Sequence, residues 1–410
     1  MHKGLTSLIM VFIQRNNYLE YLKEFKDRQI IKIITGVRRC GKSVLMKLYA
    51  DELRTMGVRD KQITVINFED FEHHDLREPK ALYDYVVSRI QPKMMNYVFL
   101  DEIQHVDDYA DVVDALYIKD NIDLYITGSN AYLLSSDIAT LLSGRYIELK
   151  LLPFSLKEYA LAQPKEISPE RLYANYITYS SFPYATQLQN NMQVVNDYLR
   201  GIYSTIVLKD VMQRKKVGDS MMLESVISFV ADNIGNTLST KKIADTLTSS
   251  GRKIDVKTVE KYLSALNESC IIYPVKRYDT KGHNLLKTME KYYLVDVAFR
   301  NMMLGQRGID YGRVLENVVF LELMRRYHNV YIGKVDSMEV DFIVTNMQEV
   351  EYFQVCATLR DESTRERELK PLKAIDDHFP KTILTLDPDP VTYHNGIKQQ
   401  NAIDWLLSER

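Results

Sequence analysis

Cysteine is scarce in this 410-residue sequence: Cys40, Cys270 and Cys356 lie far apart and show no metal-ligand spacing. That excludes a disulfide-stapled secreted scaffold, and an odd, sparse set fits reduced thiols in a cytosol. A charge excess of one sign is also lacking. The formal net charge is −2, so no global basic field advertises nucleic acid, and any DNA-binding surface is a local one. Long hydrophobic runs are missing as well. Residues 5–13 form the one apolar stretch near the N-terminus, too short to span a bilayer. Lys3 precedes it but no small-residue cleavage site follows, so it reads as a leading segment, with Met10 a second candidate start. No repeat or low-complexity tract is present. A cytoplasmic protein without membrane contact is expected. The composition, 46% hydrophobic and 26% charged, supports an ample core, and the length suits two or three domains.

Residues 36–43 read Gly-Val-Arg-Arg-Cys-Gly-Lys-Ser, preceded by the apolar run at 30–34 and followed by Val44 and a helical pattern. Strand, glycine-bounded loop and helix is the arrangement that cradles a nucleotide triphosphate. Gly36 and Gly41 let the loop curl so that N–H groups of Val37, Arg38, Arg39, Cys40 and their neighbours through Val44 face phosphate. The helix N-terminus adds partial positive charge. Lys42 reaches the β- and γ-phosphates, and the Ser43 hydroxyl ligates Mg²⁺. The plain alternative is a glycine turn before an ordinary helix. Cys40 is a small loop filler or a redox-sensitive thiol.

The strand Tyr97-Val98-Phe99-Leu100 ends in Asp101-Glu102. Asp101 would hold Mg²⁺ through water and Ser43, and Glu102, one residue on, can polarise an attacking water. A third strand, 122–126, ends in Thr127-Gly128-Ser129-Asn130. Ser129 and Asn130 either sense the γ-phosphate or cap the next helix. Arg145 follows the glycine of Leu142-Ser143-Gly144 and either touches the γ-phosphate, in cis or from a neighbouring subunit, or is a surface arginine. With residues 63–70, a strand ending in acids, four strands alternate with helical patterns at 44–56, 81–90 and 108–116. The expectation is an α/β fold, a parallel sheet covered on both faces with nucleotide at the strands' carboxyl ends.

These segments (GVRRCGKS, NFED, YVFLDEIQHV, YITGSNAYLLSS and LSGRYIELKLLPFSLKEY) resemble the prokaryotic AAA-type ATPases of the AAA_14 group, whose members commonly carry a C-terminal DUF4143 domain. The resemblance runs from Arg15-x-x-Tyr18-Leu19 almost to the C-terminus. It implies ATP and Mg²⁺ as ligands, with Lys42 and Ser43 on phosphate and metal, Asp101 supporting Mg²⁺ and Glu102 as catalytic base. It further implies Asn130 as sensor and Arg145 as the arginine of the Gly-Arg motif. Relatives typically read Gly-Gly-Phe-Pro after the ATPase core; here the residues are Ser180-Ser181-Phe182-Pro183.

Residues 222–280 carry a helix, a helix capped by Ser239 or Thr240, an amphipathic helix at 257–266 and a strand at 271–278. This order resembles a winged helix. Lys253, Lys257, Lys261, Lys276 and Arg277 are either phosphate contacts or a solvated face of a protein-docking module. Further on, Glu316 in a helix, Asp341 in a strand and Gln354 in the next resemble a PD-(D/E)XK nuclease fold. Gln354 replaces the second acid and Cys356 stands where the lysine belongs, while Glu339 is displaced from the expected position. The centre is therefore read as degenerate, a scaffold for binding or assembly. Glu366 and Glu368 are expected as salt-bridged surface positions.

The expected organisation is an ATPase domain at 1–160, a helical connector at 161–218, a winged-helix-like domain at 219–300 and a nuclease-like DUF4143 domain at 301–410. The expected activity is Mg²⁺-dependent ATP hydrolysis that moves domains bound to duplex DNA, a protein partner or further copies of the chain. The alternatives are a nucleotide-gated binding module with little turnover and a metal-dependent nuclease.

Overall fold

Continuous apolar runs, which suit strands buried on both faces, build the first sheet. It comprises β1 (Ile31–Thr35), β2 (Ile63–Asn67), β3 (Asn96–Asp101), β4 (Ile122–Thr127) and β5 (Tyr146–Lys150), all parallel, in the order β2-β3-β4-β1-β5. Every residue of β1, β3 and β4 is buried. The computed structural model describes residues 13–128, 142, 144–188, 191–213, 218–280, 282, 284–305, 310–346 and 349–409. The leading segment at 5–13 lies almost wholly outside them. The chain forms two units, one of Met1–Thr35, Gly41–Gly128 and Leu133–Leu151, the other of Gly36–Cys40, Ser129–Tyr132 and Leu152–Arg410.

The first unit adds helices α1 (Asn16–Glu24), α2 (Lys42–Thr55), α3 (Pro79–Arg89) and α4 (Tyr109–Tyr117). α3 begins where Glu78 accepts the N–H groups of Lys80 and Ala81 and Pro79 takes the first helical position. The four-strand expectation is corrected to five. β5 escapes a reading by apolar runs because it is an edge strand carrying Glu148 and Lys150, and the Thr35 hydroxyl donates to Glu148 at 2.5 Å. Beneath the sheet a buried ion pair joins Lys32 on β1 to Asp123 on β4. Burial pushes Lys32 down and Asp123 up, each against the attraction of the other. The pair is satisfied further by donors from Asp27 N–H and Tyr125 Oη to Asp123, each at 2.9 Å.

The second unit opens with α5 (Leu156–Leu161), α6 (Pro169–Tyr179), α7 (Met192–Thr205) and a π-helical stretch at Ile206–Gln213. Then come α8 (Ser220–Asp232), β6 (Thr237–Leu238), α9 (Thr240–Ser249), α10 (Val256–Glu268), β7 (Ile272–Asp279), β8 (Asn284–Leu294) and α11 (Val297–Leu304). The remainder is α12 (Tyr311–Arg326), β9 (Asn329–Val335), β10 (Met338–Asn346), β11 (Glu349–Val355), α13 (Glu362–Lys373), β12 (Lys381–Thr385), β13 (Thr392–His394), β14 (Ile397–Asn401) and α14 (Ala402–Leu407). All nine strands share one sheet, β13-β14-β12-β11-β10-β9-β7-β8-β6. β7 pairs in parallel with β9 through Arg277–Ile332, Tyr278–Gly333 and Asp279–Lys334. Sheet hydrogen bonding therefore runs across the position near 300 where the sequence suggests a boundary. No described helix is long and apolar enough to cross a membrane.

Ser180 and Ser181 have a concrete task. Ser180 adopts φ 86°, ψ 147°, a backbone region that favours glycine. Here both hydroxyls and the Ser181 N–H donate to Asp296 Oδ2, at 2.8, 2.6 and 2.7 Å. Asp296 is buried, which pushes its carboxyl up against the pull of these donors. Its other oxygen accepts the Ala298 N–H at 2.7 Å and starts α11. Ser181→Ala should cost about 1–3 kcal/mol of stability by leaving a buried charged acceptor short of a donor, measurable by denaturant unfolding; a loss below about 0.5 kcal/mol would refute this role.

Candidate active site

β1 ends at a loop with three residues at positive φ: Gly36 (149°), Arg39 (69°) and Gly41 (106°). Gly41 is the N-cap of α2, and its carbonyl accepts the Leu45 N–H at 2.9 Å. Cys40 N–H donates to Val37 O at 3.2 Å, tightening the turn, and the Cys40 side chain is buried. Arg38 is half-buried, Arg39 is exposed, and Val44 continues α2. Lys42 is only 4% exposed, with Nζ 3.7 Å from Glu102 Oε1.

The carboxyl ends of β3 and β4 complete the constellation. The Ser43 hydroxyl hydrogen-bonds Asp101, and the Thr127 hydroxyl donates to Asp101 Oδ1 at 2.5 Å. Burial pushes the Asp101 carboxyl up; the Thr127 and Ser43 hydroxyls pull it down, Glu102 raises it and Lys42 lowers it. Thr127 also accepts the Glu102 N–H at 2.9 Å, so one hydroxyl aligns both acids. Glu102 sits in the left-handed region at φ 58°, ψ 48°, costly for a non-glycine residue and a mark of functional sites. Its carboxylate also accepts the Gln104 amide.

Lys42, Ser43, Asp101 and Glu102 thus converge. Ser129 and Asn130 lie outside the described residues. Arg145 is described elsewhere: it pairs with Asp114 on α4, its guanidinium stands 5.6 Å from the Tyr117 ring centre, and it touches neither Lys42, Asp101 nor Glu102 among the described residues. Sequence reasoning missed the bridging part of Thr127, although its place at the end of the strand beside the Asp-Glu strand was a usable signal. It also missed that Glu69, two residues past β2, and His105 bring ligand atoms within 4.8 Å of one another and of Glu102. Glu69 is exposed and His105 half-buried.

A second charged centre lies in the nine-stranded sheet. Sequence reasoning missed the lysine of this centre. Lys291 of β8 places Nζ 2.8 Å from Glu316 Oε1, 2.8 Å from Glu339 Oε1 and 3.4 Å from Asp341 Oδ1. Tyr293 Oη donates to Glu316 at 2.6 Å, and Val355 N–H to Asp341 Oδ2 at 2.9 Å. Burial works against the Lys291 charge, but Glu316, Asp341 and Glu339 outweigh it and hold the ammonium above its usual range. Burial, then Glu316, pushes the Asp341 carboxyl up to about 8, against Lys291. Gln354 serves as a strut: its Oε1 accepts the Asp341 N–H at 3.2 Å and its Nε2 donates to Glu368 at 2.8 Å. Glu368 is paired with Arg367, as expected, but its side chain is only 12% exposed, so it is no surface position. Burial pushes the Cys356 thiol up, away from reactivity. The turn after α8 packs here too: a Cβ on Gly235 (φ 74°) would stand 2.8 Å from Glu316 Oε2.

The family model AAA_14, an AAA domain, matches residues 28–160. The expectation of a DUF4143 domain is corrected: the model that matches beyond the ATPase core is DUF8612, a domain of unknown function, over residues 170–310. The Walker-type ATPase paby2304 of Pyrococcus abyssi shares the fold, with a TM-score of 0.50 and 16% identity over 71% of this chain and 96% of that one. An uncharacterized protein of Methanocaldococcus jannaschii is 27% identical over 372 residues, 85% of this chain and 79% of its own. An uncharacterized protein of Haemophilus influenzae is 39% identical over 399 residues, 96% of this chain and 98% of its own. With that identity over nearly the whole of both chains, this protein belongs to the family of the Haemophilus influenzae protein and carries an AAA_14-type P-loop ATPase domain.

Proposed function

We propose that the chain hydrolyses ATP with Mg²⁺ and couples nucleotide state to its second unit. The observation that carries this reading is the buried cluster in which Thr127 aligns Asp101 with Ser43 and presents Glu102 beside Lys42. A hydroxyl joined to a desolvated carboxylate is the donor pair of a P-loop Mg²⁺ site, and a divalent cation there would neutralise the charge that burial opposes on Asp101. When bound, Mg²⁺ neutralises developing charge on the phosphates. Lys42 binds and orients the β- and γ-phosphates; in doing so it leaves Glu102, whose carboxylate then takes the proton of the attacking water. The strained backbone of Glu102 keeps that carboxylate in place. The test is turnover by Glu102→Gln with nucleotide binding followed separately.

The second unit is read as the element that engages a partner, with duplex DNA as the favoured one. Supporting this are the helix–strand–helix–helix–hairpin order of α8, β6, α9, α10, β7 and β8, as in a winged helix, and exposed Lys253, Lys257, Lys261 and Lys276. Lysine–phosphate contacts make affinity fall with salt, so log affinity for duplex against log salt should have a clearly negative slope. A flat response would leave a protein partner as the reading. The Lys291 centre favours a structural role over cleavage, because an ammonium already occupies the middle of the three carboxylates.

A further inference from the structure

Among the described residues of the second unit, the buried Arg300 guanidinium carries a donor, Nη1, without a hydrogen-bond partner. Arg300 on α11 is only 7% exposed and makes no hydrogen bond among the described residues, and its Nη1 is buried. Asp232 forms a long ion pair with it, 3.9 Å from Nη2, beyond hydrogen-bond reach and with the carboxylate 68% exposed. Buried guanidinium donors are strongly destabilising when unpaired, and such a group in a folded protein calls for an absent partner.

Arg300 lines an open groove of about 780 Å³ between α8, the end of α9 and α11. That volume suits a small organic ligand. Phe229, Leu247 and Leu304 give it apolar walls, and Arg252 contributes a second guanidinium. Arg252 donates to Met221 O at 3.0 Å, whereas Arg300 Nη1 is buried without an acceptor. Glu224 and Asp232 also line the groove, balancing the two arginines. A polyanion would meet these acids; a single carboxylate on an apolar body satisfies Arg300 and covers the walls. A planar carboxylate also matches the fork of a guanidinium.

We propose that this groove binds a small apolar carboxylate, with the carboxylate seated on Arg300. The site is separate from the nucleotide constellation and uses none of its residues. The test uses the full chain without nucleotide, with N-acetyl-leucine, benzoate and octanoate as probes, in calorimetry and thermal unfolding. At least one should bind and raise the unfolding temperature, while N-acetyl-leucine amide, benzamide and octanamide should bind at least tenfold more weakly. Arg300→Met should lose the carboxylate response and, unliganded, unfold no lower than wild type, since the buried donor without an acceptor is gone. The proposal is overturned if no carboxylate binds, if amides bind equally well, if inorganic phosphate stabilises more than every carboxylate, or if Arg300→Met unfolds at a lower temperature. The acid-against-amide comparison uses wild-type protein alone, so it decides the matter even if the variant fails to fold.

Discussion

Glu102→Gln is expected to cut steady-state ATP hydrolysis by about 10²- to 10⁴-fold, the usual contribution of a positioned general base, while ATP still binds. Glutamine keeps the shape of the side chain and its contact with Gln104, but cannot accept the proton of water. The N–H to Thr127 and the left-handed backbone are unaffected in kind, so Asp101 and Ser43 should remain aligned. Loss of the carboxylate also removes the 3.7 Å ion pair with Lys42. One acid fewer then competes with phosphate for Lys42, and nucleotide affinity should hold or rise. Phosphate release and a fluorescent-nucleotide titration measure the two effects separately. A variant that hydrolyses within threefold of wild type would remove Glu102 from the chemistry. A variant that loses both activities together would assign it to structure.

Lys291→Met should destabilise the protein by about 3–5 kcal/mol, the range for breaking a buried ion pair from one side. Three carboxylates, Glu316, Glu339 and Asp341, would lose the ammonium they share. The loss depends on pH, and its sign follows from the shifts. Asp341 has its ordinary value at 3.8 and about 8 in the fold, so between about 4 and 8 the folded protein holds a proton that the unfolded chain has released. Stability from this group therefore falls as pH rises through that window. Lys291 is raised above 10.5, so its contribution is complete throughout the window and is lost only as pH climbs through its folded value. Without the ammonium, deprotonating the carboxyls becomes harder still, so the deficit of Lys291→Met should be larger at pH 8.5 than at pH 5.5. Asp341→Asn should flatten the pH dependence. Denaturant unfolding at the two pH values reads both; equal deficits, or no deficit, would contradict the shared-cation account.

The parts legible in the sequence were local. The glycine-bounded loop, the Asp101–Glu102 pair and the apolar runs of β1 to β4 each lie within a few adjacent residues, where periodicity and spacing carry the information. The helices read as 44–56, 81–90 and 108–116 differ from α2, α3 and α4 by two residues or fewer at each end. What was hidden depends on distant partners. Lys291 reaches the carboxylates from 25 residues or more earlier in the chain, so local spacing could not reveal the buried ion cluster. The two serines at 180 and 181 looked like a departure from a glycine turn until Asp296, over a hundred residues later, gave them a buried carboxylate to hold. Arg145 sits where a phosphate-touching arginine is expected, yet its described partner is Asp114. The domain boundary suggested near 300 follows the change of motif, whereas the sheet follows hydrogen bonding from β7 to β9.

The most direct test of the central claim is the identity of the nucleotide held by the full-length chain after a single turnover. Protein in excess over labelled ATP and Mg²⁺ is quenched at intervals and the bound nucleotide is separated. Wild type is expected to convert ATP to ADP and phosphate, Glu102→Gln to retain ATP, and wild type with EDTA in place of Mg²⁺ to convert none. Wild-type protein that binds ATP and returns it unchanged, or a Glu102→Gln variant that converts it at the wild-type rate, would contradict the assignment of Glu102, Asp101 and Ser43 as the machinery of hydrolysis.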